Sequence, residues 1–365
     1  MLRVFRPRPY LYPGCKESDF IMPRNFSINA HFRKLGEQHR PTYRFAGQTQ
    51  DDWRAWRNAL LPALRATLGR MPTRVPLNPE IVSETREDGL VKQRVVFDVE
   101  EGLSAAAWVF RPADRPGRLP GILACHGHGP FGKDAVMGQG TAPELLANIK
   151  VHNYSYGLAL AKAGYAVIAI DWRGFGERNE PEGLWGRDIC NVHYIKATIL
   201  GMTVLGMDVN DGTCTIDYLC GQEYVDPGRI GVLGLSFGGT MTTWISICDE
   251  RIRAADNICY SDRFADFALG RANFCGSQIT PGLFELCDMP DLQGLFAPKP
   301  LLVEIGRNDD CFHLDSAMSC FREVEKIYSA AGARRMLELD LFDGGHQWGG
   351  NKTLEFFAKH LNGQR

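Results

Sequence analysis

Residues Arg229-Ile230-Gly231-Val232-Leu233-Gly234-Leu235-Ser236-Phe237-Gly238-Gly239 run straight into Thr240-Met241-Thr242-Thr243-Trp244-Ile245. The first half is a short apolar run bounded by glycine, and the second carries apolar residues at helical spacing. Strand, sharp turn with serine at its apex, then helix is the context of a nucleophile elbow. The serine there takes strained backbone angles, so its hydroxyl stands clear of the sheet. Residues two positions away must be tiny, because a side chain would collide with the adjoining strand and helix. Gly234 and Gly238 meet that demand, and Gly239 lets the helix pack close. The alternative is an ordinary glycine-rich strand-to-helix turn, but the setting on both sides favours a catalytic Ser236.

A serine hydroxyl is a weak nucleophile unless a positioned base takes its proton, and the base needs an acid to orient it. In an elbow of this kind the chain order is Ser, acid, His. Lys299–Gly306 reads as a hydrophobic strand, followed by Arg307-Asn308-Asp309-Asp310. Arg335–Phe342 alternates as a strand and leads to Asp343-Gly344-Gly345-His346. His313 lies too near the acid in sequence, and His360 falls in a terminal helix over Thr353–Leu361. His346 is therefore the expected base. Asp309 and Asp310 compete for the acid, and the Gly306-x-x-Asp309 spacing favours Asp309. Asn and Asp are also ordinary turn formers, yet three residue types in the right order on the right elements outweigh that reading.

The tetrahedral intermediate needs two hydrogen-bond donors for its negative oxygen. The backbone N–H of Phe237 supplies one. Leu119–Cys125 reads as a strand and runs into His126-Gly127-His128-Gly129-Pro130. This His-Gly-x-Gly stretch resembles the oxyanion loop of esterases, which makes the N–H of His128 the second donor. Two histidines within three residues also raise metal binding. No carboxylate or cysteine cluster with ligand spacing accompanies them, so no metal ligand is expected. His126 is expected to hold the loop by hydrogen bonding.

With these motifs the chain resembles an α/β-hydrolase of the dienelactone hydrolase-like and acetyl xylan esterase-like group. Ala163–Gly176 resembles that group's strand and Asp-x-Arg-Gly-x-Gly turn, Val225–Ile230 its lead-in to the elbow, and Asp288–Pro300 its approach to the acid-bearing strand. The resemblance covers about residues 50 to 365. It implies a doubly wound, mostly parallel eight-stranded α/β sheet with helices on both faces, an N-terminal extension and a short cap insertion. It also implies a serine hydrolase of carboxylic esters with a short acyl group, acetyl on a carbohydrate being the leading case. This chain has Ser where some members have Cys. Its acid loop reads Asp309-Asp310-Cys311-Phe312-His313 where members commonly show Asp-x-x-Phe-Pro, which leaves His313 without a role. A peptidase or C–C bond hydrolase can use the same triad, and some relatives of this fold only bind.

The 365 residues, with 44% hydrophobic and 23% charged, are ordinary for one large soluble domain. A net charge of −2 gives no reason to expect nucleic acid or an anionic membrane as partner. The expected partner is a small-molecule ester, with no cofactor and no metal. Residues 1–47 read as an extended arm lying on the domain or on a partner subunit, which leaves a homo-oligomer open. Residues 48–365 read as a single domain with a leading helix over 48–69. Eleven scattered cysteines without a CxxC read as free thiols in a reducing cytoplasm, and the N-terminus lacks the apolar region of a secretory signal. Two insertions, 177–199 with Trp185 and Tyr194 and 261–296 with Phe267, Phe274 and Phe284, are expected to form the pocket, together with Trp172 and Trp348.

Overall fold

The computed structural model describes residues 24–180 and 186–362. Its strands are β1 (Glu80–Glu87), β2 (Leu90–Glu100), β3 (Leu103–Pro112), β4 (Leu119–Cys125), β5 (Ala166–Ile170), β6 (Val225–Leu235), β7 (Ile252–Ile258), β8 (Leu301–Gly306) and β9 (Leu337–Phe342). Its helices are α1 (Ile28–Gln38), α2 (Gln50–Thr67), α3 (Gly132–Met137), α4 (Pro143–His152), α5 (Tyr156–Lys162), α6 (Ile189–Ile199), α7 (Val204–Cys220), α8 (Phe237–Cys248), α9 (Leu283–Leu286), α10 (Met289–Gly294), α11 (Leu314–Ala330) and α12 (Thr353–Leu361).

One sheet holds all nine strands in the order β1-β2-β3-β5-β4-β6-β7-β8-β9. The resemblance implied eight strands and the sheet has nine, counting the exposed β1 at its edge. Asp88 and Gly89, both at positive φ, form the two-residue turn that folds β1 back on β2. Every residue of β1 is solvent-exposed, so it adds backbone pairing and no core. From β5 to β9 all neighbours are parallel. Strands β4, β5 and β8 are buried throughout, as expected where helices cover both faces.

Leu60 and Leu64 of α2, Leu205 and Val209 of α7, Trp244 of α8 and Val324 of α11 fill one face. Val136 of α3, Leu160 of α5 and Phe356 and Phe357 of α12 fill the other. Among the described residues, no helix is long and apolar enough to cross a membrane.

The arm is not extended throughout: Ser27 caps α1 by accepting a hydrogen bond from the Ala30 N–H. Beyond α1 the chain lies on the 261–296 insertion of its own molecule. Thr42 and Tyr43 donate their N–H groups to the carbonyls of Glu285 and Leu286, and Phe45 donates to Asp291. Trp56 of α2 donates to the Tyr43 carbonyl at 2.6 Å. Residues 1–23 lie outside the described ones, as does Trp185.

The elbow is the tightest crossing in the fold. A Cβ on Gly238 would overlap the carbonyl oxygen of Cys125 in β4, and one on Gly234 would press on Gly238 itself. These neighbours are backbone and cannot swing away. Gly238→Ala is therefore expected to lower unfolding free energy by about 1–3 kcal/mol through overpacking. Urea denaturation checks this, and an unchanged midpoint would show that the crossing has slack.

Candidate active site

Ser236 sits between β6 and α8 with φ 62° and ψ −117°, in the left-handed region that a non-glycine residue seldom occupies. Its N–H donates to the Ile258 carbonyl at the end of β7, and its carbonyl accepts from Gly239 and Thr240 in the first turn of α8. The serine is thus locked from both sides of the turn, which is how a strained angle persists.

Asp309 follows β8 and His346 follows β9. The structure joins them: His346 Nδ1 lies 2.9 Å from Asp309 Oδ2. The other carboxylate oxygen, Oδ1, accepts from the N–H groups of Cys311 and Phe312 at 2.8 and 2.9 Å. Burial alone pushes the Asp309 carboxyl up. The His346 ring and the two N–H groups outweigh it, leaving Asp309 below its ordinary range and ionised. Asp310 is exposed, as is His313, which only begins α11. His360 packs on Phe356 in α12. Cys259, next to the Ile258 carbonyl that fixes Ser236, offers a sulfur within 4.8 Å of the Asp309 and His346 ligand atoms. Serine turn, acid loop and histidine loop therefore meet at the carboxyl ends of β6, β7, β8 and β9.

Several groups brace this meeting point, and of them only Phe312 falls within a motif. Phe312 stacks on the His346 ring with centroids 5.7 Å apart and planes at 11°, and Phe267 stacks on Phe312 at 4.3 Å. His152 donates from Nδ1 to the His346 carbonyl at 2.8 Å. Glu304 of β8 is wholly buried and accepts from the N–H groups of Gly349 and Gly350 and from the Thr353 hydroxyl. It pins the loop beyond His346. A lone Glu inside an apolar strand was the one available hint.

The loop after β4 lies against the elbow. A Cβ on Gly127 would stand 3.3 Å from the Cβ of Ser236, and the Gly127 N–H donates to the Tyr154 hydroxyl at 2.6 Å. The exposed His128 ring lies 5.0 Å from the ring of Phe237 and 5.5 Å from that of Phe175. His126 is buried. It accepts at Nε2 from the Trp172 N–H, at 3.0 Å, and donates from Nδ1 to the Gly127 carbonyl, at 2.7 Å. Those two bonds assign a neutral tautomer that ties the loop to the Asp171–Gly176 turn.

Of the expected pocket residues, Trp172 is corrected. It is fully buried in the core, where it packs beside Gly212 of α7, and it offers no surface to a ligand. Trp348 is buried too, donating to Thr353 and packing against Tyr156. Phe267 is buried in the stack behind His346. Phe284 packs on His39 of the arm and on Phe264. Half-buried Phe274 lies edge-on to Phe267.

Cysteine is where the sequence reading fell shortest. The described cysteines are free thiols. Two of them, Cys190 of α6 and Cys275 of the 261–296 insertion, converge on His128, with the three ligand atoms within 4.8 Å of one another. The sequence separation of 147 residues between His128 and Cys275 hides this from any spacing rule.

Residues 15–329 match the model of the Abhydrolase family. The provisionally assigned hydrolase YtaP of Bacillus subtilis (strain 168) is 27% identical over 272 residues, taking in 73% of this chain and 86% of that protein. The uncharacterized peptidase YuxL of the same strain is 26% identical over 255 residues, taking in 65% of this chain but only 33% of YuxL. Among solved structures, a provisionally assigned acetyl xylan esterase from Bacteroides fragilis NCTC 9343 superposes with a TM-score of 0.73 at 19% identity. That superposition covers 87% of this chain and 83% of the other. At such identity the likeness fixes the fold and no more.

Burial pushes His126 down to about 4 from an ordinary 6.5. Its contribution to stability is therefore complete above about pH 6.5, where both folded and unfolded chains are neutral. It is lost as pH falls toward 4, because the unfolded chain takes up the proton first. Between pH 7 and 5 the wild type is expected to lose about 2 kcal/mol more than His126→Asn. Urea denaturation at the two pH values measures the difference, and parallel losses would remove His126 from the account.

Proposed function

We propose, for a chain that belongs to the Abhydrolase family, serine-based hydrolysis of carboxylic esters. Ser236 Oγ attacks the ester carbonyl while His346 accepts its proton. Asp309 holds the imidazolium, and the N–H groups of Phe237 and His128 receive the oxyanion. The alcohol leaves with the proton from His346. Water then attacks the acyl-enzyme by the same route and frees the acid. The observation that carries this reading is the 2.9 Å hydrogen bond from His346 Nδ1 to Asp309. With Nδ1 so engaged, the opposite ring nitrogen is the one available to take the serine proton.

The substrate class is a short acyl ester, with acetylated carbohydrate the first to test. Support comes from the fold shared with the Bacteroides acetyl xylan esterase. A peptidase reading has one specific support, the partial match to YuxL. Aminoacyl amides therefore belong in the same panel as p-nitrophenyl esters of rising chain length and acetylated sugars. Faster cleavage of the amides than of any ester would reverse the assignment.

Ser236→Ala is expected to lose on the order of 10⁶-fold in kcat and to escape labelling by a fluorophosphonate. Retained ester turnover in that variant would end the mechanism. Asp309→Asn should lose on the order of 10⁴-fold through the wrong histidine tautomer. The exposed Asp310→Asn should keep nearly full activity, and the opposite ranking would reassign the acid.

Phe274, half-buried beside the stack behind His346, is the best-placed aromatic of the second insertion to limit substrate size. Phe274→Ala is expected to shift the chain-length preference of kcat/KM by roughly ten-fold. An unchanged ester profile with a lower Tm would make it core.

A further inference from the structure

The mechanism has no use for the thiols of Cys190 and Cys275 or for the imidazole of His128, yet three separate elements deliver them to one point. Cys190 opens α6 in the first insertion, Cys275 precedes a short helical turn over Gly276–Gln278 in the second, and His128 lies on the loop after β4. His128 Nε2 is 3.1 Å from the Cys275 sulfur. The two insertions are already locked together beside the sulfurs: the Gly276 N–H donates to Asn191 Oδ1 at 2.9 Å, and Gly276 packs against Tyr194 so closely that no Cβ would fit. The His128 ring is gripped by Phe175 and Phe237, which leaves Nε2 directed at the thiols.

We propose that His128, Cys190 and Cys275 form a three-ligand site for a soft divalent cation, zinc above all, which ties the oxyanion-side loop to both insertions. Two sulfurs and one imidazole nitrogen are the donor set that zinc favours over harder ions. The ligand atoms lie within 4.8 Å of one another. A tetrahedral zinc needs them about 3.5–3.8 Å apart, given metal–sulfur bonds near 2.3 Å and metal–nitrogen bonds near 2.0 Å. The 3.1 Å pair of His128 and Cys275 parts slightly and the sulfurs adjust by side-chain rotation at half-buried Cys275. On binding, two S–H bonds break and two Zn–S bonds form. Two protons go to solvent, His128 lends a lone pair, and nothing is oxidised or reduced. Three protein ligands leave the fourth position to water or an exogenous donor.

The test measures binding and does not depend on the esterase reading. Full-length protein, stripped with chelator and kept reduced with a phosphine, is titrated with Co²⁺ and then with Zn²⁺ in competition. The expected result is one ion per chain, a thiolate-to-cobalt charge-transfer band displaced by zinc, and a rise in Tm of several degrees with zinc in excess. Cys190→Ala and Cys275→Ala should each abolish the band and weaken zinc binding at least ten-fold. Cys259→Ala, which removes the sulfur beside Asp309 and His346, should change neither. Because a cysteine variant can misfold, wild-type protein is also alkylated with iodoacetamide and mapped by mass spectrometry. Zinc should protect Cys190 and Cys275 selectively. No binding, cobalt binding without a thiolate band, or binding lost only in Cys259→Ala would each overturn the assignment, the last moving the ion to the Asp309–His346 pair.

Discussion

Everything at the site depends on one crossing, where α8 leaves β6 directly over the end of β4. Backbone passes backbone there, with Gly238 against the Cys125 carbonyl, and the Tyr260 side chain presses on Gly239 beside it. Such contact allows no side chain, and it forces the one residue at the apex into positive φ. Strain of this kind costs on the order of 1–3 kcal/mol and survives only where the surroundings over-determine it. Here α8 is buried on every side from Phe237 to Ile247, and the parallel sheet beneath it is buried as well. The core thus offsets the strain that exposes the serine. The same crossing lays the loop after β4 beside the elbow, because Cys125 is both the residue Gly238 touches and the last residue before His126.

The placement of Asp309 and His346 follows from sheet geometry. Parallel strands end on one edge of the sheet, so the loops after β7, β8 and β9 emerge together without any long-range device. What remains is orientation, and buried polar groups supply it. Asp309 is held by two backbone N–H groups as well as by the ring it orients. The histidine loop is clipped at its carbonyl by His152 and beyond it by Glu304. Burial raises the Glu304 carboxyl, and the Thr353 hydroxyl and glycine N–H groups oppose that shift. A carboxylate with those partners is a fastener in the core. A second proton donor for the chemistry would need contact with the reacting atoms, and Glu304 lies beneath them.

This division explains what the sequence disclosed. The strand, turn and helix around Ser236 and the pairing of Asp309, not Asp310, with His346 were legible because each rests on residues within ten positions of a recognisable strand. The sheet was legible for the same reason, and even the exposed β1 reads as a strand because its hairpin partner follows at once. Helix α1 was missed although Ile28, Phe32 and Leu35 recur at helical spacing, because the stripe is short and its residues stay largely exposed. Trp172 was misread as pocket because an aromatic beside a conspicuous turn looks functional. Its ring instead faces the packed core under α7. The stack of Phe267, Phe312 and His346 joins residues from three loops and leaves no local signature.

The same logic separates strand ends from insertions in this molecule. Ser236, Asp309 and His346 sit at strand ends whose positions the sheet dictates, so short motifs suffice to place them. No sheet register positions the two insertions, and these are fixed by side-chain pairings across great sequence distance. Gly276 against Tyr194, Cys275 beside His128 and Phe284 against His39 of the arm are of this kind. Each of them joins an insertion to a different part of the chain, and one reaches the loop that carries the second proposed oxyanion donor. A change in how the insertions seat would therefore move the loop after β4 as well, which is why the placement of that loop cannot be read without the tertiary structure around it.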